Sequence, residues 1–273
     1  MMDTLLLPFQ FPFMQKAFWI VLIVAPPCAL LSCFLVLKGW ALMGDAVSHA
    51  VLPGIVIAHL AGLPLLLGAF AAGLGSSLLT GFLAANSRVK RDTVMGVVFS
   101  AMFALGIVLN TAFPSELHLD HILFGNMLGV GQGDLITAAA IALPVTAVLA
   151  LKWRDLMLHA FDPAQAQVSG LRVGALHYGL LTILSLTIVA TLTSVGLILA
   201  IGLLIAPGAI AFLLARSFGV MLIVATGVTL VAMLSGVWIS FYLDSAPAPT
   251  IILVLTGIFL AALLRRNLVA RPG

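Results

Sequence analysis

Residues 17–37 read AFWIVLIVAPPCALLSCFLVL, an apolar run that contains no charged side chain. An α-helix needs roughly 20 apolar residues to cross the hydrocarbon of a bilayer, so this run is long enough to span it. The whole chain has the same character: 63% of its 273 residues are hydrophobic and 8% are charged, whereas a soluble domain carries about 25% charged residues. A soluble core cannot hide that much apolar surface. The sequence therefore predicts an integral membrane protein.

Runs of the same kind recur along the chain and predict an all-α, polytopic transmembrane bundle of about nine spans, forming one domain over residues 1–273. The predicted spans are 17–37, 46–62, 64–85, 93–113, 134–151, 175–193, 196–215, 218–242 and 249–264. Asp134 is predicted to cap the fifth span. Prolines inside the spans are predicted to kink or break them, namely Pro26–Pro27, Pro144 and Pro207.

Basic residues in the short loops predict the orientation of the spans. If nine spans alternate, almost all Lys and Arg residues fall on one side, which the positive-inside rule assigns to the cytoplasm. Lys16 falls on the other side, together with Glu116, Asp120 and Asp244. The prediction is a multi-pass membrane protein, in contact with lipid, with its N-terminus outside and its C-terminus in the cytoplasm. The net charge is only +3, which does not favour a nucleic-acid partner.

Two ionisable residues, Asp45 and His49, lie in the segment GWALMGDAVSHAVLPG, residues 39–54. Four residues apart on a helix, they share a face. A carboxylate and a neutral imidazole suit a borderline divalent ion such as manganese, iron(II) or zinc, and ionisable groups at membrane depth are usually functional. A hydrogen-bonded pair that only tethers two spans is the alternative. Pro53 has no N–H for the carbonyl of His49, so we expect a helix break that frees that oxygen.

Two polar segments lie outside the predicted spans, and each has its own prediction. The loop 114–134 holds Glu116, His118, Asp120 and His121, and it is either an ordinary solvated loop or a contact for an external partner or an arriving cation. In the segment 151–178, Asp162 and Pro163 indicate a helix start and Gly170 indicates a helix stop. They predict a short helix over about 162–169 outside the membrane, either a simple connector or a docking element for a soluble partner.

Several motifs resemble, in order, the membrane permease of metal-uptake ABC transporters, the manganese/zinc/iron family served by cluster-type binding proteins. These motifs are GDAVSHAVLPG, SRVKRDTVMGVVFSAMFALGIVL, LDHILFGNMLGV, FDPAQAQVSGLRV and LIAPGAIAFLL. The resemblance runs from about residue 39 to residue 250. It implies a subunit of the bacterial inner membrane that transports manganese, iron or zinc and holds no permanent cofactor. The segment after Arg88 looks most like the manganese/iron branch, and zinc stays open.

The resemblance also implies partners and site residues. It implies a homodimer with the ion path at its interface, two copies of a cytoplasmic ATPase, and one external metal-binding protein. The family's metal pair falls on Asp45 and His49. Its ATPase-coupling helix falls on Phe161, Asp162, Pro163, Gln165, Gly170 and Leu171.

Other functional classes fit the sequence less well. The chain contains no GxxxxGK[ST] phosphate loop, so ATP hydrolysis would occur in a separate polypeptide. An ion-gradient-driven metal carrier would more often show ionisable residues in both halves of the chain. An intramembrane enzyme is not favoured, because neither a GxSxG nor an HExxH motif is present. The prediction is a transport subunit that is not itself an enzyme.

Overall fold

The computed structural model describes residues 7–113, 125–192 and 194–269. Two short 3-10 turns, Leu7–Gln10 and Met127–Gly129, accompany the α-helices. The helices in these ranges are α1 Pro12–Leu37, α2 Ala41–Ala50, α3 Leu52–Leu60, α4 Leu65–Ala85, α5 Arg91–Ala112, α6 Gln132–Leu151, α7 Trp153–Phe161, α8 Pro163–Val168, α9 Val173–Leu192, α10 Leu197–Leu214, α11 Phe218–Leu243 and α12 Pro247–Val269.

Within the described ranges, nine segments are long and apolar enough to cross a membrane. This confirms the predicted all-α polytopic bundle and its number of spans. The second span consists of α2 and α3 together, and the short helices α7 and α8 lie between the fifth and sixth spans. Apolar runs of this length suit helices in lipid, because a helix satisfies all of its backbone hydrogen bonds within one segment.

Helix α1 is the centre of the bundle. It packs against α6, α10 and α11, and two-thirds of its most apolar window is buried. Its first half lies in an apolar cluster with α10, α11 and α12, while its second half lies in another with α2, α9 and α10. By contrast, α4, α5 and α6 bury less than a third of their spanning windows. The bundle therefore packs around α1, and we call α4 and α5, which pack against each other and are largely unburied, its open side.

The spans are continuous at four prolines that were predicted to kink or break them. Helix α1 continues through Pro26 and Pro27, α6 through Pro144 and α10 through Pro207. A proline removes only one backbone donor, and neighbouring helices can hold the remaining turns in place. At Pro207 the next residue, Gly208, lies directly against the backbone of Ser32 in α1. This close packing accounts for the continuity of α10.

The start of α6 also differs from the prediction. The helix begins at Gln132, so Asp134 is its third residue and not its N-cap. The carboxylate of Asp134 accepts a hydrogen bond from the backbone N–H of Gly131, at 2.9 Å. The acidic residue therefore stabilises the same helix end from inside the first turn, where a negative charge is favoured by the helix dipole.

Candidate metal site and coupling helix

The turn before α2 fixes the start of the helix that carries Asp45 and His49. Helix α1 ends at Leu37 with Lys38 as its C-cap, and Gly39 adopts a left-handed conformation with φ of +66°. The N–H of Gly39 donates to the carbonyl of Val36, and that of Trp40 donates to the carbonyl of Leu35. This pair of bonds is the Schellman motif that closes helix ends at a glycine. Helix α2 begins one residue after Trp40, so its first turn is held against the end of α1.

Helix α2 stops at Ala50, and α3 starts at Leu52 with Pro53 in its first turn. Pro53 has no N–H to continue the α2 ladder, so the division falls at the predicted place along the chain. That this break leaves the carbonyl oxygen of His49 available to a passing cation stays a prediction.

Asp45 and His49 lie next to each other on one face of α2. The Oδ1 atom of Asp45 is 3.3 Å from the Nε2 atom of His49. Their side chains are 34% and 23% exposed respectively, so the pair is neither enclosed in the core nor fully open. The Nδ1 atom of His49 is buried and has no hydrogen-bond partner among the described residues. The two side chains therefore present one carboxylate and one imidazole at the edge of the single chain.

Two aromatic rings from α5 hold the imidazole in place. The rings of Phe99 and Phe103, one helical turn apart, have centroids 5.4 and 5.2 Å from that of His49. Phe103 meets the imidazole at 81°, an edge-to-face arrangement that aromatic pairs favour. Sequence analysis did not predict these contacts, because an apolar residue in a predicted span gives no signal of which neighbour it touches.

The pair does not reach a third ligand within the described part of the chain. No group of three or more His, Cys, Asp or Glu side chains comes together there. The other predicted cation contacts, Glu116, His118, Asp120 and His121, lie outside the described residues. One copy of the chain thus offers two ligands at this position, whereas a divalent ion takes four to six or more.

The second predicted site is the short helix α8, which follows α7 in the chain. Helix α8 covers Pro163–Val168, with Asp162 as its N-cap. The Oδ1 atom of Asp162 accepts a hydrogen bond of 3.0 Å from the N–H of Gln165. At the other end Gly170 has φ of +80°, and the N–H of Leu171 donates to the carbonyl of Ala166. An aspartate cap at the start of α8 and a left-handed glycine after its end therefore close the helix, as the sequence predicted.

Helix α8 rests on the bundle by one residue and exposes the others. Ala166 is fully buried, whereas Phe161 and Val168 are 79% and 83% exposed. Phe161 also lines an open cavity of about 350 Å³ with Leu37, Arg216 and Arg266. These residues end four different segments of the chain. We call this end of the bundle, where Lys38, Lys152, Arg172, Arg216 and Arg266 lie, the basic end.

A polar cluster at the basic end was not predicted. Lys38 Nζ donates a 3.0 Å hydrogen bond to Nε2 of His159, a residue of α7 that is 3% exposed. Burial, and then the charges of Lys38 and His177, lower the pKa of His159 to about 4. The helix α7 itself was also not predicted. The local signal for it was an amphipathic pattern, with Leu156 and His159 three residues apart and both buried.

Comparison with known proteins places the chain in a family. The model of the ABC 3 transport family matches residues 10–266. The chain is 53% identical to the chelated iron transport system membrane protein YfeD of Yersinia pestis, over 96% of this chain and 88% of that protein. It is 41% identical to the manganese transport system membrane protein MntB of Synechocystis, over 94% of this chain and 84% of that protein.

A solved structure agrees with these relatives. PsaBC from Streptococcus pneumoniae, determined in complex with a Fab, matches with a TM-score of 0.86 and 33% identity, over 96% of this chain and 95% of that one. The match confirms the resemblance to the membrane permeases of metal-uptake ABC transporters, whose members are transport subunits and not enzymes. The chain belongs to the ABC 3 transport family.

Proposed function

We propose that this chain is the permease of an ATP-driven importer of manganese or iron(II), and that Asp45 and His49 contact the ion as it passes. The observation that carries the proposal is the pairing of a carboxylate and an imidazole 3.3 Å apart on one helix face. The names of the relatives, which refer to iron and manganese transport, support the choice of ion.

The spacing of the pair suits a shared dication. With metal–ligand bonds of about 2.1 Å, two ligands on one ion lie roughly 3.0 Å apart at right angles and about 3.4 Å apart at the tetrahedral angle. The distance of 3.3 Å between Asp45 Oδ1 and His49 Nε2 falls in this range. A cation can therefore bridge the two side chains at about the separation that they already have.

A homodimer would complete the coordination. Each copy supplies two ligands, and a two-fold axis beside the pair would bring four together. Few coordination positions on the ion would then remain for water or passing anions. The partial exposure of both side chains supports this arrangement. So does the open side of the bundle, since α5 packs against α2 and is itself mostly unburied. The whole chain acts as one permease domain in this proposal.

The partners follow from the family and from the basic end. An ABC permease works with an ATPase and a substrate-binding protein. We assign the ATPase dimer to α8, because its exposed Phe161 and Val168 leave an apolar surface at the end richest in Lys and Arg. That end is then cytoplasmic, the N-terminus is external, and the metal-binding protein docks at the opposite end.

Zinc is the alternative cargo, since an imidazole and a carboxylate also suit it. A mixed oxygen and nitrogen set without thiolate is better matched to manganese and iron(II), which accept more oxygen ligands. The site must also release the ion, which requires binding that is not too strong. The ligand types and the need for release both favour manganese and iron(II), which lie at the weakly bound end of the order of divalent metal affinities.

The test is ATP-dependent uptake of manganese, iron(II) and zinc by vesicles that contain the permease, its ATPase and its binding protein. We expect Asp45→Ala and His49→Ala to lower uptake of manganese or iron at least about tenfold, since each removes half of the proposed ligands from the homodimer and about 1.4 kcal/mol is tenfold. His59→Ala is the matched control, because His59 is an exposed imidazole in the same span. Unchanged uptake by both site variants would overturn the proposal. Uptake of zinc without uptake of manganese or iron(II) would show that zinc is the cargo.

A further inference from the structure

We propose that the hydrogen bond between Lys38 and His159 is the positioning link through which movement of the coupling helix reaches Asp45 and His49. The inference rests on the proposed function, in which α8 receives the motion of the ATPase. It concerns four residues to which the proposed function assigns no role: Lys38, Trp40, His159 and His177.

The first part of the link joins α8 to His159. Helices α7 and α8 are separated by one residue, Asp162, whose N–H bonds to the carbonyl of Leu158 and whose side chain caps α8. The two helices also pack against each other. A displacement of α8 therefore carries the last turn of α7 with it, and that turn contains His159.

The second part of the link joins His159 to the start of α2. Lys38 Nζ donates to His159 Nε2 across 121 residues of sequence. The same ammonium group lies 4.6 Å from the centre of the Trp40 ring, a favourable cation–π distance. Trp40 is 4% exposed, and its ring meets that of His177 at 5.4 Å. Lys38 is thus held on one side by α7 and on the other by the residue that precedes α2.

The third part of the link is rigid. The Schellman bonds at Gly39 fix Trp40 to the end of α1, and the N–H of Met43 donates to the carbonyl of Trp40. Asp45 lies five residues beyond Trp40, about 7.5 Å along the helix axis. Leu204 of α10 packs against Gly44, immediately before Asp45. A shift of Trp40 therefore moves the metal pair as part of one short helix.

The hydrogen bond has a defined direction. An ammonium group can only donate, so Nε2 of His159 must accept and the imidazole must be neutral. Burial and the nearby charges keep it neutral at physiological pH. A buried bond between a charged donor and a neutral acceptor is costly to leave half-made, which makes α7 and the α1–α2 turn move together.

The experiment compares coupling in the full complex reconstituted in vesicles, with Mn²⁺ as the probe. The readout is Mn²⁺ transported per ATP hydrolysed, together with the basal ATPase rate. We expect Lys38→Met and His159→Leu each to lower this ratio about fivefold, with basal hydrolysis unchanged and with no further loss in the double variant, because both break one link. Lys38→Arg and His159→Gln, which retain a donor and an acceptor, should restore the ratio to near the original value.

A matched control is available on the same helix. Lys152→Met removes an exposed ion pair with Asp155 in α7 that does not reach α1, and it should leave the ratio unchanged. Losses that add in the double variant, or equal losses in the conservative variants, would overturn the link. If His159→Leu fails to fold, the pair Lys38→Met and Lys38→Arg decides alone. Loss of uptake in Asp45→Ala with normal coupling in Lys38→Met would refute this inference and leave the proposed function intact.

Discussion

The backbones of Gly54 and Gly68 touch where α3 crosses α4. A β-carbon built on either glycine overlaps the carbonyl oxygen of the other. Helices in lipid gain stability from such close approaches, because burial of apolar surface gives no advantage over contact with acyl chains. The crossing holds the second half of the span that carries Asp45 and His49 against its neighbour.

We predict that Gly54→Ala and Gly68→Ala each destabilise the protein by about 1–3 kcal/mol, the usual cost of overpacking. Gly81→Ala is the matched control on α4, because a β-carbon there meets open space, and it should be neutral or slightly stabilising. Thermal unfolding in detergent checks the series. Equal unfolding temperatures for all three variants would show that the crossing is not tightly packed.

Asp162 offers a prediction about the ATPase contact. Loss of its cap in Asp162→Ala costs about 1 kcal/mol, and a helix of six residues does not persist without such support. We expect about fivefold weaker binding of the purified ATPase to the permease, whereas Asp162→Asn keeps a capping oxygen and the original affinity. Titration of labelled ATPase gives both values, and equal affinities for the two variants would argue against α8 as the docking element.

The sequence allowed the fold and α8 to be predicted because their causes are local. The nine spans follow from the length and hydropathy of each run, and α8 follows from Asp162, Pro163 and Gly170 within ten positions. The continuity of α10 at Pro207 could not be predicted, for the opposite reason. Whether a proline breaks a helix in lipid depends on its neighbours, and the neighbour that matters, Ser32 of α1, is distant in sequence.

The pKa of His159 predicts how stability depends on pH. In the folded protein burial and the adjacent Lys38 and His177 lower this pKa from 6.5 to about 4. Between these values the unfolded chain binds a proton that the folded chain does not, so this contribution to stability is complete above pH 6.5 and is lost as the pH falls toward 4. The unfolding temperature in detergent should therefore drop over that range.

His159→Gln isolates this contribution, because glutamine accepts a hydrogen bond but does not titrate. The variant should show a shallower fall in unfolding temperature between pH 6.5 and pH 4 than the original protein. Parallel curves for the two proteins would mean that His159 takes up its proton in the folded state as readily as in the unfolded state.

The candidate site itself was only partly predictable. Asp45 and His49 could be paired because four residues on a helix fix their relation, and the structure shows them 3.3 Å apart. Phe99 and Phe103 could not be assigned to them, and neither could Lys38 be assigned to His159. Such contacts depend on how separate helices cross, and one sequence carries no record of that.

The central claim is that Asp45 and His49 from two copies hold one ion. Pulsed electron paramagnetic resonance of Mn²⁺ in the purified complex, prepared with ¹⁵N-labelled histidine, tests it directly. We predict one Mn²⁺ per two permease chains, with imidazole nitrogen couplings that vanish in His49→Ala and persist in His59→Ala. Couplings that are unchanged in His49→Ala, or a full ion bound by each separate chain, would contradict it.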